Sequence, residues 1–257
     1  MKASDIADMI EKYAPCELAY SWDNVGFSAG NREEEIGKIY LTLDCNAGAV
    51  REAAENGCNM IVSHHPLFFN PIKNICRENP KTELIRLLIE NNICVYSAHT
   101  NMDVAPCGIN ARLAKMFGLR NAGIIEPHAN FENVGLGRYG DLEREMTLAE
   151  FVEMTGKILN TPLRFCGDKN TNIKRVGVAS GACAELAAPS KALGCDVLVT
   201  ADMKYHQMLD AADAGMCIVD AGHFPTEICV KDIFEEILKD TGLPLIMSTQ
   251  KDVFRFN

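Results

Sequence analysis

Short apolar runs of strand character alternate along this chain with amphipathic stretches that stop at glycine, and that alternation is the signature of parallel α/β packing. A strand at 39–43 leads to a helix ending near Gly57 and then to a buried strand at 60–63. A helix over 80–91, with Leu84, Leu87 and Leu88 on one face, precedes a strand at 94–98 and a helix ending at Gly118. In the second half Thr147 and Glu150 form a capping box ahead of the apolar face Leu148, Phe151 and Val152. A strand at 175–179, a helix to Gly194, a strand at 197–200, a helix to Gly215 and a strand at 217–219 follow, and a long terminal helix carries Ile233, Phe234 and Ile237. At the N-terminus Ser4 is placed to cap a helix bearing Ile6, Met9, Ile10 and Tyr13, which Pro15 stops.

The halves read as copies of each other. NGCNMIVSH aligns with LGCDVLVTA and NNICVYSAH with AGMCIVDAG, so that Cys58 falls on Cys195, Cys94 on Cys217 and Ala98 on Ala221. The expectation is a duplicated α/β unit, with a first repeat over 1–124 and a second over 125–257 whose terminal helix can pack back on the first.

Bulk properties narrow the function classes. The 257 residues suffice for one large domain or two small ones, and 47% hydrophobic with 23% charged residues excludes a disordered chain. A net charge of -10 without a basic stripe argues against nucleic acid as partner. The opening residues lack the apolar core of a signal peptide, and no apolar stretch is long enough to span a bilayer, so a soluble cytoplasmic protein is expected. Eleven cysteines, odd in number and never spaced as CxxC, read as buried reduced thiols rather than disulfides or zinc ligands.

Ligands of open α/β sheets bind past the carboxyl ends of the parallel strands, so residues there carry the chemistry. Ser63-His64-His65-Pro66 places adjacent imidazoles that can serve two metals; ordinary capping histidines are the alternative. His99-Thr100-Asn101-Met102-Asp103 puts an imidazole and a carboxylate near the next strand end, a pattern that Asx and Thr turns also explain. In Gly222-His223-Phe224-Pro225-Thr226-Glu227, Pro225 and Thr226 suit the first turn of a helix running on to Leu238. There His223 and Glu227, four apart, lie on one side, although a first-turn Glu also serves the helix dipole. Three strand ends in both halves presenting such groups point to a two-metal site of hydrolase type, its mixed imidazole and oxygen donors suiting zinc, iron, manganese or cobalt. Lys204 and His206 follow the strand equivalent to the one feeding His64 and either face substrate or begin a solvated helix. His128 reads as a surface loop residue, and VASGA at 178–182 lacks the lysine and spacing of a phosphate loop.

The set Trp22-Asp23-Asn24-Val25-Gly26, His64-His65-Pro66, His99 to Asp103, Tyr205-His206 and Gly222-His223 to Glu227 resembles, in that order and over almost the whole chain, the short form of the Nif-three-like family, often labelled GTP cyclohydrolase 1 type 2 homologues. The resemblance implies two intertwined, duplicated α/β repeats with mixed, mostly parallel sheets in three α-β-α layers, assembled as a toroidal homohexamer. It implies two divalent metal ions per chain held by His64, His65, Asp103, His223 and Glu227, with Glu227 bridging and His99 and Asn101 lining the site. Phe27 stands where the family usually has leucine, and Pro225 and Thr226 sit where small or hydroxyl residues are common. The activity implied is a GTP cyclohydrolase type 2-like hydrolase acting on a nucleotide or a purine- or pterin-type substrate through metal-activated water. In it His99 is the catalytic acid or base, and Asn101, Lys204 and His206 meet substrate. A non-catalytic metal-binding ring protein with a regulatory, chaperone or metal-carrier role is the alternative.

Overall fold

The computed structural model describes residues 1–76 and 78–256; Asn257, the last residue of the expected second repeat, lies outside them. Its helices are α1 (Ala3–Tyr13), α2 (Ala47–Glu55), α3 (Pro80–Glu90), α4 (Thr100–Val104), α5 (Ile109–Met116), α6 (Leu148–Leu159), α7 (Ala187–Ala192), α8 (Tyr205–Asp213), α9 (His223–Glu227) and α10 (Val230–Leu238). The strands are β1 (Gly26–Ala29), β2 (Ile39–Asp44), β3 (Met60–His65), β4 (Cys94–Ser97), β5 (Arg120–Pro127), β6 (Gly135–Thr147), β7 (Arg164–Cys166), β8 (Asn172–Val178), β9 (Val197–Thr200), β10 (Cys217–Asp220) and β11 (Leu245–Met247). They form two compact units, Met1–Met102 with Val230–Lys251, and Asp103–Cys229 with the described residues from Asp252 onward.

The first unit holds a sheet in the order β1-β4-β3-β2-β11. β11, β2, β3 and β4 run parallel and β1 pairs antiparallel with β4. Strand residues alternate faces. Tyr40, Ile61 and Val95 enter one cluster with Ala49, Val50 and Ala53 of α2 and Leu84 and Leu88 of α3. Ile39, Leu41 and Leu43, of opposite parity, serve the other face, where α10 lies against β2 and α1 against α10. Thus helices cover both faces, and strands buried on both sides read as the continuous apolar runs seen in the sequence.

The second unit holds a sheet in the order β5-β6-β8-β9-β10-β7. β8, β9 and β10 are parallel, whereas β5, β6 and β7 join antiparallel. Among the described residues, five of the nine strand pairings are parallel, three in the first sheet and two in the second. The α/β class with two mixed, mostly parallel sheets is as expected from the sequence.

Each unit repeats one sequence of elements: helix, short antiparallel edge strand, then three parallel strands separated by helices. In the first unit this is α1-β1-β2-α2-β3-α3-β4, and in the second α6-β7-β8-α7-β9-α8-β10. The common order supports the proposed duplication. The expected border at 124/125 falls inside β5, whose pairing with β6 runs from Arg120 to Pro127. Packing units also interleave along the chain, because α10 and β11 return to the first sheet.

Two local expectations are corrected. Helix α1 opens at Ala3 with Lys2 as its extended N-cap residue, and Asp5 Oδ2 accepts the Lys2 N–H at 2.8 Å, so Ser4 lies within the helix and does not cap it. The helix after Gly222 does not run unbroken to Leu238. α9 buries Pro225, Thr226 and Glu227 in the second unit, and α10 buries Val230, Ile233, Phe234 and Leu238 in the first. Each stretch answers its own unit's apolar demand, and the helix breaks between them at 228–229. No helix among the described residues is long and apolar enough to cross a membrane.

Phe234 is fully buried. Phe234→Ala is expected to lower unfolding free energy by about 3–5 kcal/mol in urea titrations; a loss under about 1 kcal/mol would show that α10 is not part of the core.

Candidate metal centre

Register sets the first group of residues. β2, β3 and β4 are adjacent and parallel, so their carboxyl ends fall together, and these ends carry Asp44, His64-His65 and His99. Asp44 is in register with His65, and Asp44 Oδ1 lies 2.7 Å from His65 Nδ1. Ser63 and Ser97 are also in register and join through their hydroxyls at 2.9 Å, knitting the two strand ends.

His64 is fully buried, with Nδ1 2.8 Å from the carbonyl oxygen of Ala98. A carbonyl only accepts, so Nδ1 carries the proton and Nε2 is the nitrogen that a metal would take. His99 Nδ1 lies 2.9 Å from Asp23 Oδ1. The ring centroids of His64, His65 and His99 stand 5.0 to 5.5 Å apart, and each ring offers a nitrogen within 4.8 Å of the others'. Ligands on one metal at bonds of about 2.1 Å sit roughly 3 to 4 Å apart, so adjustments of about an ångström would bring the His64 and His65 nitrogens onto an ion with His99 beside it. The donor set fits a borderline divalent metal.

The second unit builds on the same edge of its sheet. Past β8 come Ser180 and Gly181, past β9 Asp202, and past β10 His223. His223 Nδ1 lies 2.7 Å from Asp202 Oδ2, and His223 Nε2 is 3.0 Å from Glu227 Oε2, as the four-residue spacing implied. Carboxylate oxygens of Asp103 and Glu227 lie within 4.8 Å of each other, and both residues are buried. Ser180 Oγ donates to Asp103 Oδ1 at 3.1 Å, while Asn110 accepts from Ser180 N at 2.8 Å and donates to the Asp103 carbonyl at 3.1 Å. Arg138, nearly buried, donates to the Ala105 carbonyl at 3.0 Å and steadies the end of α4 from which Asp103 projects.

Gly181 is required by this arrangement. Its φ is +63°, and a Cβ there would stand 2.2 Å from Glu227 Oε1. Gly181 N also donates to Thr226 Oγ1 at 3.1 Å, which holds the turn against α9. Cys183, buried nearby, is held protonated by burial first and by the negative charges of Glu185, Asp103 and Glu227, and it donates to the Ser180 carbonyl.

The structure therefore groups His64, His65 and His99 in one unit, and Asp103, His223 and Glu227 in the other. Lys204 and His206 stand exposed at the start of α8, and Asn101 is buried with its amide donating to the Ala14 carbonyl at 2.7 Å. None of these three bonds to the two groups among the described residues. Sequence reasoning passed over the carboxylates that orient the rings. Asp44 and Asp202 sit at strand ends and were open to the same rule that found the histidines; Asp23, in a loop before β1, was not.

Asp23 also carries a pH signature. Burial pushes its carboxyl up, but hydrogen bonds from His99 and from the hydroxyl and N–H of Thr100, at 2.5 and 3.0 Å, outweigh that and bring it down from 3.8 to about 2. A folded-state value below the unfolded one means that its stabilisation is full above about pH 4 and lost as pH falls through about 2. In chelator-treated protein, Asp23→Asn is expected to remove roughly 2 kcal/mol at pH 7 and less at pH 2 in denaturant titrations at both pH values; a loss independent of pH would contradict this.

The chain matches the family described as Duf34/NIF3 (NGG1p interacting factor 3) over residues 1–252. A Clostridium perfringens protein named GTP cyclohydrolase 1 type 2 homolog is 36% identical, with 100% of each chain covered. A protein of the same name from Methanocaldococcus jannaschii is 33% identical over 93% of this chain and 95% of its own. Among solved structures, Staphylococcus aureus hypothetical protein SA1388 has a TM-score of 0.93 at 30% identity, covering 100% of this chain and 99% of its own. Reduced HcgD from Methanocaldococcus jannaschii has a TM-score of 0.82 at 31% identity, covering 97% and 98%. With the fold, the edge-mounted histidines and these likenesses in agreement, the chain belongs to the Duf34/NIF3 family.

Proposed function

We propose that this chain is a dinuclear metal-dependent hydrolase, GTP cyclohydrolase type 2-like, acting on a nucleotide or a purine- or pterin-type substrate. The proposed ligands are His64, His65, Asp103, His223 and Glu227, and the proposed cofactor is two divalent ions per chain, of zinc, iron, manganese or cobalt. Once bound, such ions supply Lewis acidity and lower the pKa of water toward neutrality. One observation carries the reading: the Nδ1 atoms of His64, His65 and His223 each meet a carbonyl or carboxylate oxygen within 2.8 Å. Metal-ligating histidines are oriented in this way, because the outer hydrogen bond fixes the tautomer and raises the basicity of the other nitrogen. The name shared by the relatives supports the substrate class.

In this proposal His99 is the acid or base, its ring steadied by the ionised Asp23 so that Nε2 takes or gives the proton. Lys204 and His206 contact substrate from the exposed start of α8, and Asn101 lines the site. A toroidal homohexamer is part of the same proposal.

A second reading, a non-catalytic metal-binding ring protein that regulates, chaperones or carries metal, is favoured by the burial of His64, Asp103 and Glu227 to 7% exposure or less, which suits retention of an ion. Turnover separates the two. Metal-loaded wild type is expected to hydrolyse GTP, Asp103→Ala to lose activity, and His99→Gln to lower kcat by roughly 10²- to 10⁴-fold with metal content unchanged. Metal-loaded wild type without turnover of GTP or a pterin would contradict the hydrolase and leave the second reading standing.

A further inference from the structure

Two large aromatic rings close on His99 yet stay open to solvent. Trp22 meets the imidazole edge-on with centroids 6.2 Å apart and planes at 75°, and Phe69 does the same at 5.5 Å and 76°. Trp22 is 63% exposed and Phe69 53%, whereas Phe151 and Phe234 are fully buried. Rings that served packing would be covered.

The pair is held in place. Tyr20 stacks on Trp22 at 6.0 Å with planes 12° apart, and Tyr20 N donates to Thr100 Oγ1 at 3.1 Å. Asn24 N donates to Asp23 Oδ1 at 2.8 Å, and Asn24 Nδ2 reaches across to the Phe68 carbonyl, also at 2.8 Å. The turn bearing Trp22 and the loop bearing Phe69 are therefore tied to each other and, through Asp23, to His99 itself.

We propose that Trp22 and Phe69 form a stacking platform that grips the planar heteroaromatic ring of the substrate and presents it to His99. Ring faces stack on aromatic side chains with little regard to substituents; Tyr20 covers one face of Trp22, and the large exposure of Trp22 and Phe69 leaves apolar ring surface beside His99 for a ligand. The set Tyr20, Trp22, Phe69 and His99 contains no Lys or Arg, so it selects a ring rather than a phosphate. The choice of a guanine-type ring rests on the hydrolase reading; the platform itself rests on the geometry above.

Trp22 is the chain's one tryptophan, so tryptophan emission, excited at wavelengths that tyrosine does not absorb, reports on this position alone. The full chain is titrated with GTP, guanosine and inorganic tripolyphosphate, with and without chelator. GTP and guanosine are expected to quench saturably and tripolyphosphate not to. By calorimetry, Trp22→Leu is expected to weaken guanosine binding roughly five- to a hundredfold, with Trp22→Phe restoring most of it. Quenching by guanosine in protein that turns nothing over would sink the hydrolase reading and keep the platform. Three results would overturn the platform, whatever the turnover: no quenching by guanosine, equal quenching by tripolyphosphate, or wild-type guanosine binding in Trp22→Leu.

Discussion

Neutral imidazole has one nitrogen to donate a proton and one to accept, and the partner of the first decides what the second can do. In this protein the Nδ1 atoms of His64, His65, His99 and His223 each lie 2.7 to 2.9 Å from a carbonyl or carboxylate oxygen. The acceptors come with the fold. Asp44 is opposite His65 because β2 and β3 are parallel and in register, and Ala98 reaches His64 because β4 ends beside β3. A strand slipped by one residue would take His65 out of register with Asp44 and His64 away from the Ala98 carbonyl, and dissolve the arrangement.

The same edge logic operates in the second unit, with different residues. Asp202 after β9 holds His223 after β10, and Ser180 after β8 holds Asp103. Room is as important as attraction there: Gly181 admits the Glu227 carboxylate at a distance that no β-carbon would tolerate. The carboxylates also bear on the nearby chemistry, since together with burial they keep the Cys183 thiol protonated. Several other cysteines sit in apolar surroundings, and burial pushes Cys45 and Cys195 up to about 12, in line with unreactive packing thiols.

What could be read from sequence follows from what each segment buries. β2, β3, β4, β8, β9 and β10 are covered on both faces, so their apolar runs announce them, and glycines mark the ends of the helices between. β1 and β7 are three or four residues long and mostly half-buried, β5 is largely exposed, and β11, though apolar, is only three residues long, so none carries a run long enough to detect. The helix break at 228–229 was hidden because α9 and α10 both have helical periodicity, and only their different packing partners separate them. In the candidate site the histidines were visible as strand-end residues, and the spacing of His223 and Glu227 was enough to pair them. Asp23 was not recognisable as a partner of His99 because 76 residues separate them and only tertiary structure joins them. Trp22 stands in the motif Trp22-Asp23-Asn24-Val25-Gly26, but a sequence does not show that it and Phe69 remain exposed.

The central claim is that oriented imidazoles and buried carboxylates hold metal. Elemental mass spectrometry of purified wild type, His64→Ala and Glu227→Ala, each normalised to protein concentration, tests it most directly. The account predicts about two divalent ions per chain in wild type, as a paired metal site requires, and a marked loss in both variants. Wild type that retains no divalent metal after loading, or variants that retain as much as wild type, would contradict it.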